Sequence, residues 1–280
     1  MVMAMLSWGL SWTNAKFLGQ YTNPVTLMSW RFLLSAISIV PILYFSENRF
    51  KINRQDFLYI LANSLFLVSY NFFYFRATQI GLAGKGGVLV TTLNPILTSI
   101  IINLFFNGLF SKRILLGQLL GITGGIVILR VWELDLILVT KSGNLYFLLA
   151  SFSWVFVTII ASRTNNNMPF LSFSFWSFIV SFFLSSLFTT PNEIIAILGF
   201  DWFFWSNLLV LSAGAMSFGT SIYFLASKRI GPKRASSFIL LVPFSAMIFA
   251  RVFLGEPMTA STIIGGLIGV TSVYLLNQDV

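Results

Sequence analysis

Apolar residues along this chain gather into long runs, broken by brief polar, Gly/Pro or charged punctuation. A helix that crosses a bilayer needs about 20 mainly apolar residues. Ten segments suit that length: 2–19, 25–45, 56–76, 86–108, 114–132, 143–162, 170–189, 202–227, 235–254 and 259–276. The links between them are too short for a soluble domain, and the low-complexity patch is only "TNNN" at 164–167. The first run opens at Met1 and carries Trp8, Trp12 and Lys16 without a basic leader or an A-x-A-like cleavage site. It therefore predicts a membrane helix rather than a cleaved signal. The whole pattern predicts an all-α membrane protein with ten transmembrane helices.

Two of the runs contain a fault. "LVTTLNPILTS" (89–99) and "ILLVPFSAM" (239–247) each place a proline near the middle of a helix-length segment. There it removes a backbone hydrogen bond and pushes on the carbonyl four residues earlier, at a cost of about 3 kcal/mol or more. Shifted by 148 residues, "PILTSIIINLFFNGLFSKRILLGQLLGIT" overlies "PFSAMIFARVFLGEPMTASTIIGGLIGVT" without a gap. Pro95 meets Pro243, Phe105 meets Phe253, and Gly117, Leu119, Gly121 and Thr123 meet Gly265, Leu267, Gly269 and Thr271. The chain thus reads as two five-helix repeats, 1–141 and 142–280. An odd number of crossings turns the second copy over, so the repeats are inverted. The carbonyls freed by the prolines, those of Thr91 and Ile239, then fall near the bilayer midplane, where such backbone must face protein or a watery cavity. Prolines are also tolerated in membrane helices for structural reasons alone; their matched positions favour conformational hinges at Pro95 and Pro243.

Composition sharpens this picture. Of the 280 residues, 57% are hydrophobic and only 9% charged, with a mean hydropathy of +0.87, against roughly 25% charged in soluble domains. There is no cysteine and no histidine, which removes disulfides, thiol nucleophiles, imidazole bases and ordinary zinc or haem sites. No metal or cofactor is expected. The net charge of +9 sits in short loops rather than on one soluble face, so the expected partners are the bilayer and a small molecule, not nucleic acid. With a cytoplasmic N-terminus, the inner loops hold Arg49, Lys51 and Arg54; Lys112 and Arg113; Arg163; and Lys228, Arg229, Lys233 and Arg234. The other side holds only Arg76, Lys85, Arg130 and Lys141. The positive-inside rule then places both termini in the cytoplasm. Oligomeric state is left open; a monomer is compatible with everything above.

Charge inside the membrane is the sharpest chemical signal, because each such side chain costs a few kcal/mol or more and faces a cavity or a partner. The candidates are Lys16, Arg31 and Arg251, with no Asp or Glu in the central part of any segment. Unpaired cations suit an anionic or zwitterionic solute. The competing readings are that Lys16 snorkels to the interface, Arg31 bonds helix-end carbonyls and Arg251 pairs with Glu256. Polar and aromatic faces at helical spacing add Trp8 and Trp12, stacked one turn apart; Asn63, Tyr70 and Tyr74; Gly87, Thr91, Asn94 and Thr98; and Ser151, Trp154 and Thr158. Tyr223 joins them as a substrate-binding candidate on the eighth segment. The same faces suit helix-packing glue at about 1 kcal/mol per bond. The stripes Gly117/Gly121/Gly124 and Gly265/Gly269 read as close-packing surfaces.

"LSWGLSWTNAKF" followed by "NPVTLMSWRFLL", and "YFLASKRIGPKRASSFILLVPFSAMIFARVFLGEP" running into the glycine-rich last segment, resemble the drug/metabolite transporter superfamily, specifically its EamA-type ten-helix members. The resemblance covers essentially the whole chain. It implies an inner-membrane secondary transporter of small metabolites, working by alternating access around a central cavity. One departure stands out: the Gly-Glu expected after the fourth helix is Gly108-Leu109, and survives only in the second copy as Gly255-Glu256. Without an intramembrane carboxylate or histidine to titrate, uniport or exchange is expected rather than obligatory proton coupling. A membrane-embedded enzyme and a passive channel are the alternatives. The first lacks evident acid–base groups, and the second should show a continuous polar pore.

Overall fold

The computed structural model describes residues 1–45, 50, 52, 54–105, 112–130, 132, 143–164 and 168–277. The "TNNN" patch beyond Thr164 and the Gly108-Leu109 pair lie outside the described residues. The chain forms α1 (Val2–Leu18), α2 (Pro24–Tyr44), α3 (Arg54–Ile80), α4 (Ala83–Phe105), α5 (Lys112–Leu129), α6 (Asn144–Ser162), α7 (Phe170–Ser186), α8 (Pro191–Ala196), α9 (Trp202–Arg229), α10 (Pro232–Ser237), α11 (Leu241–Leu254) and α12 (Ala260–Asn277). Among the described residues, seven helices are long and apolar enough to cross a membrane. An eighth joins them if α7 and the short stretch Pro191–Gly199, bent 119° apart, form one span. With 17 residues α1 is shorter, and α12 is likewise apolar but short. Each segment expected from the sequence falls largely on helix, but length and apolarity by themselves establish seven or eight spans.

Local chemistry explains the boundaries. Asn23 caps α2 by accepting from the Thr26 amide at 3.0 Å, with Pro24 in the first turn where its missing N–H costs nothing. Thr190 and Glu193 form a reciprocal capping box on α8. The backbone N–H and the hydroxyl of Thr190 hold the Glu193 carboxyl below the usual carboxylate range. Within α9, residues Val210–Thr220 wind as a π-helix, a wider turn that recurs at functional sites.

The two prolines behave differently. Pro95 sits inside an unbroken α4. Pro243 lies near the middle of the continuous helical stretch Arg234–Leu254, just after that stretch tightens into a 3₁₀ turn at Phe238–Leu240. The tighter winding falls at the residues whose carbonyls Pro243 cannot reach with an N–H, that of Ile239 among them.

Packing follows matched pairs. α3 lies on α6 and α9 on α1; α1 lies on α11 and α6 on α4; α3 lies on α7 and α9 on α2. α5 lies on α12, α2 on α7 and α4 on α11. The α5–α12 contact is made by glycine: a Cβ on Gly124 would lie 2.8 Å from the Gly265 carbonyl oxygen and 3.0 Å from the Gly269 nitrogen. Hydroxyls and amides tie α7 to its neighbours. Ser29 donates to Ser185 across α2 and α7 at 2.9 Å, and Asn63 donates to Ser177 across α3 and α7 at 3.1 Å.

Candidate functional site

Between α1, α2, α3, α4, α6 and the π segment of α9 lies a narrow cavity of about 20 Å³. Its walls are aromatic and polar in similar measure. Trp8 and Trp12 come from α1, Arg31 from α2, Tyr70 from α3, Thr91 and Asn94 from α4, Trp154 from α6, with Ser11, Met216 and Thr220 completing the lining. The volume admits a water or two. Any larger occupant requires the walls to part.

The aromatic walls are interlocked. Trp8 meets Trp154 edge-on at 5.1 Å and Tyr223 at 5.1 Å, while Trp12 meets Tyr74 at 4.7 Å and Phe147 at 6.0 Å. Trp8 and Trp12, expected to stack together, thus pack on different partners, because a helical turn of rise leaves their rings free to follow separate neighbours. The Trp8 indole N–H donates to the Ala215 carbonyl at 2.9 Å, which the π winding presents toward α1. Gly219 makes room for that ring: a Cβ there would lie 2.6 Å from the indole nitrogen. Tyr74 donates to the Ser11 carbonyl at 2.6 Å.

Arg31 is the cation of the site. It is 4% exposed, and its Nη1 donates to the Asn71 side-chain oxygen at 2.8 Å. The guanidinium lies 5.3 Å from the Tyr74 ring centre and 5.7 Å from that of Phe75, a favourable cation–π placement. Its Nε is buried without a hydrogen-bond partner. No carboxylate is among the cavity-lining residues. The expectation that Arg31 bonds helix-end carbonyls gives way to a bond with a neutral side-chain amide.

On α4, Thr91 donates to the Gly87 carbonyl. The Asn94 amide faces the carbonyl oxygens of Val90 and Ser151 at 3.1 and 3.2 Å, so its nitrogen belongs there. A Cβ on Gly87 would collide with Ala246 and crowd Trp12; glycine at this point lets α4 meet α11 beside the cavity. Ser151 donates to the Phe147 carbonyl at 3.0 Å, within its own helix.

Other candidates lie elsewhere. Asn63 is buried against Ser177 of α7. Thr98 is fully buried one turn beyond Asn94 and does not line the cavity. Tyr223 sits behind Trp8 and Trp154 and hydrogen-bonds Thr158 at 2.9 Å. Lys16 donates to the carbonyls of Gly81 at 2.7 Å and Gln79 at 3.2 Å, tying α1 to the α3–α4 junction. Glu256 accepts from the backbone N–H groups of Ala83 and Gly84, at 2.8 Å each. Its carboxylate therefore caps α4, while Arg251 is exposed rather than paired with it.

Ser11, Asn71, Met216 and Thr220 were not evident from the sequence. Met216 and Thr220 lie on the π segment, where a 3.6-residue period no longer tracks a face. Asn71 lies one residue off the Tyr70/Tyr74 stripe.

The profile of the EamA-like transporter family matches residues 1–130 and, separately, 141–278. An uncharacterized transporter of Bacillus subtilis, YoaV, is 22% identical over 98% of this chain and 94% of its own length. A probable amino-acid metabolite efflux pump of Salmonella typhimurium is 25% identical, with 98% and 92% covered. A solved crystal structure shares the fold at a TM-score of 0.69 and 16% identity, over 98% of this chain and 94% of the other.

Proposed function

The chain belongs to the EamA-like transporter family, and from that membership and the cavity we propose that it carries a small carboxylate-bearing solute, anionic or zwitterionic and amino-acid-like, by alternating access. The observation that carries this reading is Arg31: a buried guanidinium bonded to a neutral amide and surrounded by aromatic faces. A buried cation is costly unless something neutralises it, and a bound carboxylate would do so. The Salmonella relative's description as an amino-acid metabolite efflux pump agrees with such a solute.

The chain is a multi-pass membrane protein. We read it as ten spans in two inverted repeats, 1–141 and 142–280, lying in a bacterial inner membrane with both termini cytoplasmic. The double match of the family profile supports the duplication. So do the matched packing pairs, in which exchanging the halves maps α3–α6 onto α9–α1 and α1–α11 onto α6–α4. The cavity lies where the halves meet, so rocking one against the other opens it to either side. With no carboxylate or histidine in its lining, the transport mode is uniport or exchange.

Counterflow in proteoliposomes tests the reading. Vesicles preloaded with an amino acid should accumulate the labelled amino acid transiently, the corresponding decarboxylated amine should fail to drive it, and Arg31→Gln should abolish it. Amine transport equal to that of the parent amino acid would overturn the assignment.

A further inference from the structure

Asn71 lies behind the cavity wall on α3, fully buried and one helical turn from Leu67. Its amide is held at both ends. Nδ2 donates to the Leu67 carbonyl at 2.8 Å, and Oδ1 accepts from Arg31 Nη1 at 2.8 Å. The first bond fixes the orientation, so the oxygen is the atom that must face the guanidinium. An aspartate has nearly the same shape and would face Arg31 as a charged partner, giving up the bond to the Leu67 carbonyl. Asparagine gives Arg31 an acceptor without a countercharge.

We propose that Asn71 sets the charge selectivity of the cavity: by holding Arg31 with a neutral amide where a carboxylate would fit, it leaves the positive charge for the solute to neutralise. This rests on the reading that a carboxylate docks at Arg31. Arg31 has five N–H donors, of which Nη1 is engaged by Asn71 and Nε has no partner. The remaining donors serve a carboxylate in the geometry that guanidinium favours. Asn71 is a positioning residue, outside the cavity lining and acting through Arg31. An internal aspartate would form a buried ion pair, cancel the site's charge and compete with any incoming anion. A solute without a negative group would no longer be disfavoured by an uncompensated guanidinium.

The test uses the full-length purified protein and two isosteric probes, acetate and acetamide, at matched ionic strength, with binding read from concentration-dependent thermal stabilisation. In the wild type, acetate should bind at least tenfold more tightly than acetamide. Asn71→Asp should erase that ratio, leaving acetate no better than acetamide. Asn71→Ala removes the hydrogen bond but adds no charge, so it should keep a preference for acetate, which a purely structural role of Asn71 would not predict to differ from Asn71→Asp. A folded Asn71→Asp variant that retains the wild-type ratio overturns the proposal. Should that variant not fold, loss of the acetate preference in folded Asn71→Ala overturns it instead. A wild type indifferent between the probes refutes the anion-site reading of Arg31 itself. A wild-type preference that survives Asn71→Asp refutes only the role of Asn71.

Discussion

Glu256 offers the most direct test of the proposed opening between the two halves. It follows α11, within the second match of the family profile, and its two carboxylate oxygens accept from Ala83 and Gly84, the first residues of α4 within the first match, at 2.8 Å each. Below that clasp the helices touch through small residues: a Cβ on Gly84 would lie 3.0 Å from the Ala250 Cβ. Lys16 grips the adjoining α3–α4 junction. Hydrogen bonds to a charged group contribute about 1.5–3 kcal/mol each, and a carboxylate at a helix N-terminus gains up to about 2 kcal/mol from the helix dipole. Glu256→Gln keeps one acceptor oxygen but turns an NH₂ toward a backbone donor, so the closed arrangement should lose about 2–3 kcal/mol. At 1.4 kcal/mol per factor of ten, that shifts the closed-to-open ratio by about 30- to 140-fold. The chain has no cysteine, so a single cysteine at Thr220, a buried cavity-lining position, reports opening by its rate of maleimide modification in detergent. The rate should rise by a similar factor in Glu256→Gln. A change below threefold in a folded, monodisperse variant would refute the idea that this clasp holds the halves together.

The two remaining expectations concern topology and packing. On intact cells, an impermeant thiol reagent should label Leu198→Cys, between α8 and α9, but not Arg229→Cys at the end of α9; both positions are exposed, and the reverse pattern would invert the proposed orientation. Gly124→Leu should lower stability by about 1–3 kcal/mol, seen as a lower Tm, because its side chain meets the backbone of Gly265 and Gly269; Gly214→Ala, with nothing within 4 Å of the added Cβ, should leave Tm within a degree or two, and equal losses in both would show that the close approach is unimportant.

Much of the cavity was legible because helical spacing reports a shared face. Trp8, Trp12, Tyr70, Thr91, Asn94 and Trp154 were found that way, and Arg31 by the cost of burying charge. What spacing does not report is depth along the helix or which neighbour a face meets. Asn63 lies on the stripe that leads to Tyr70 yet meets Ser177 of α7, and Lys16 shares α1 with the tryptophans yet reaches a helix end. Asn71 is invisible to face counting, since one residue along a helix turns about 100° and takes it off the Tyr70/Tyr74 stripe. Met216 and Thr220 are hidden by the π winding, and the small residues of "SAGAMSFGTS" leave no stripe from which to infer it.

The prolines show why a matched sequence position need not give a matched structure. Around Pro95, polar side chains take up helix carbonyls: Thr91 that of Gly87, Thr92 that of Val88 at 2.7 Å, and the Asn94 nitrogen that of Val90 at 3.1 Å. These bonds brace the turns before the proline; the carbonyl that Pro95 itself leaves without its helical donor is that of Thr91. Before Pro243 the sequence is "FILLV", with no side-chain donor to offer, and the chain instead narrows into the 3₁₀ turn at Phe238–Leu240 and restarts as α11. The two prolines therefore sit in unlike settings, α-helix on both sides of Pro95 and a 3₁₀ turn just before Pro243. That turn lies at one end of α11, and the Glu256 clasp on the start of α4 follows its other end.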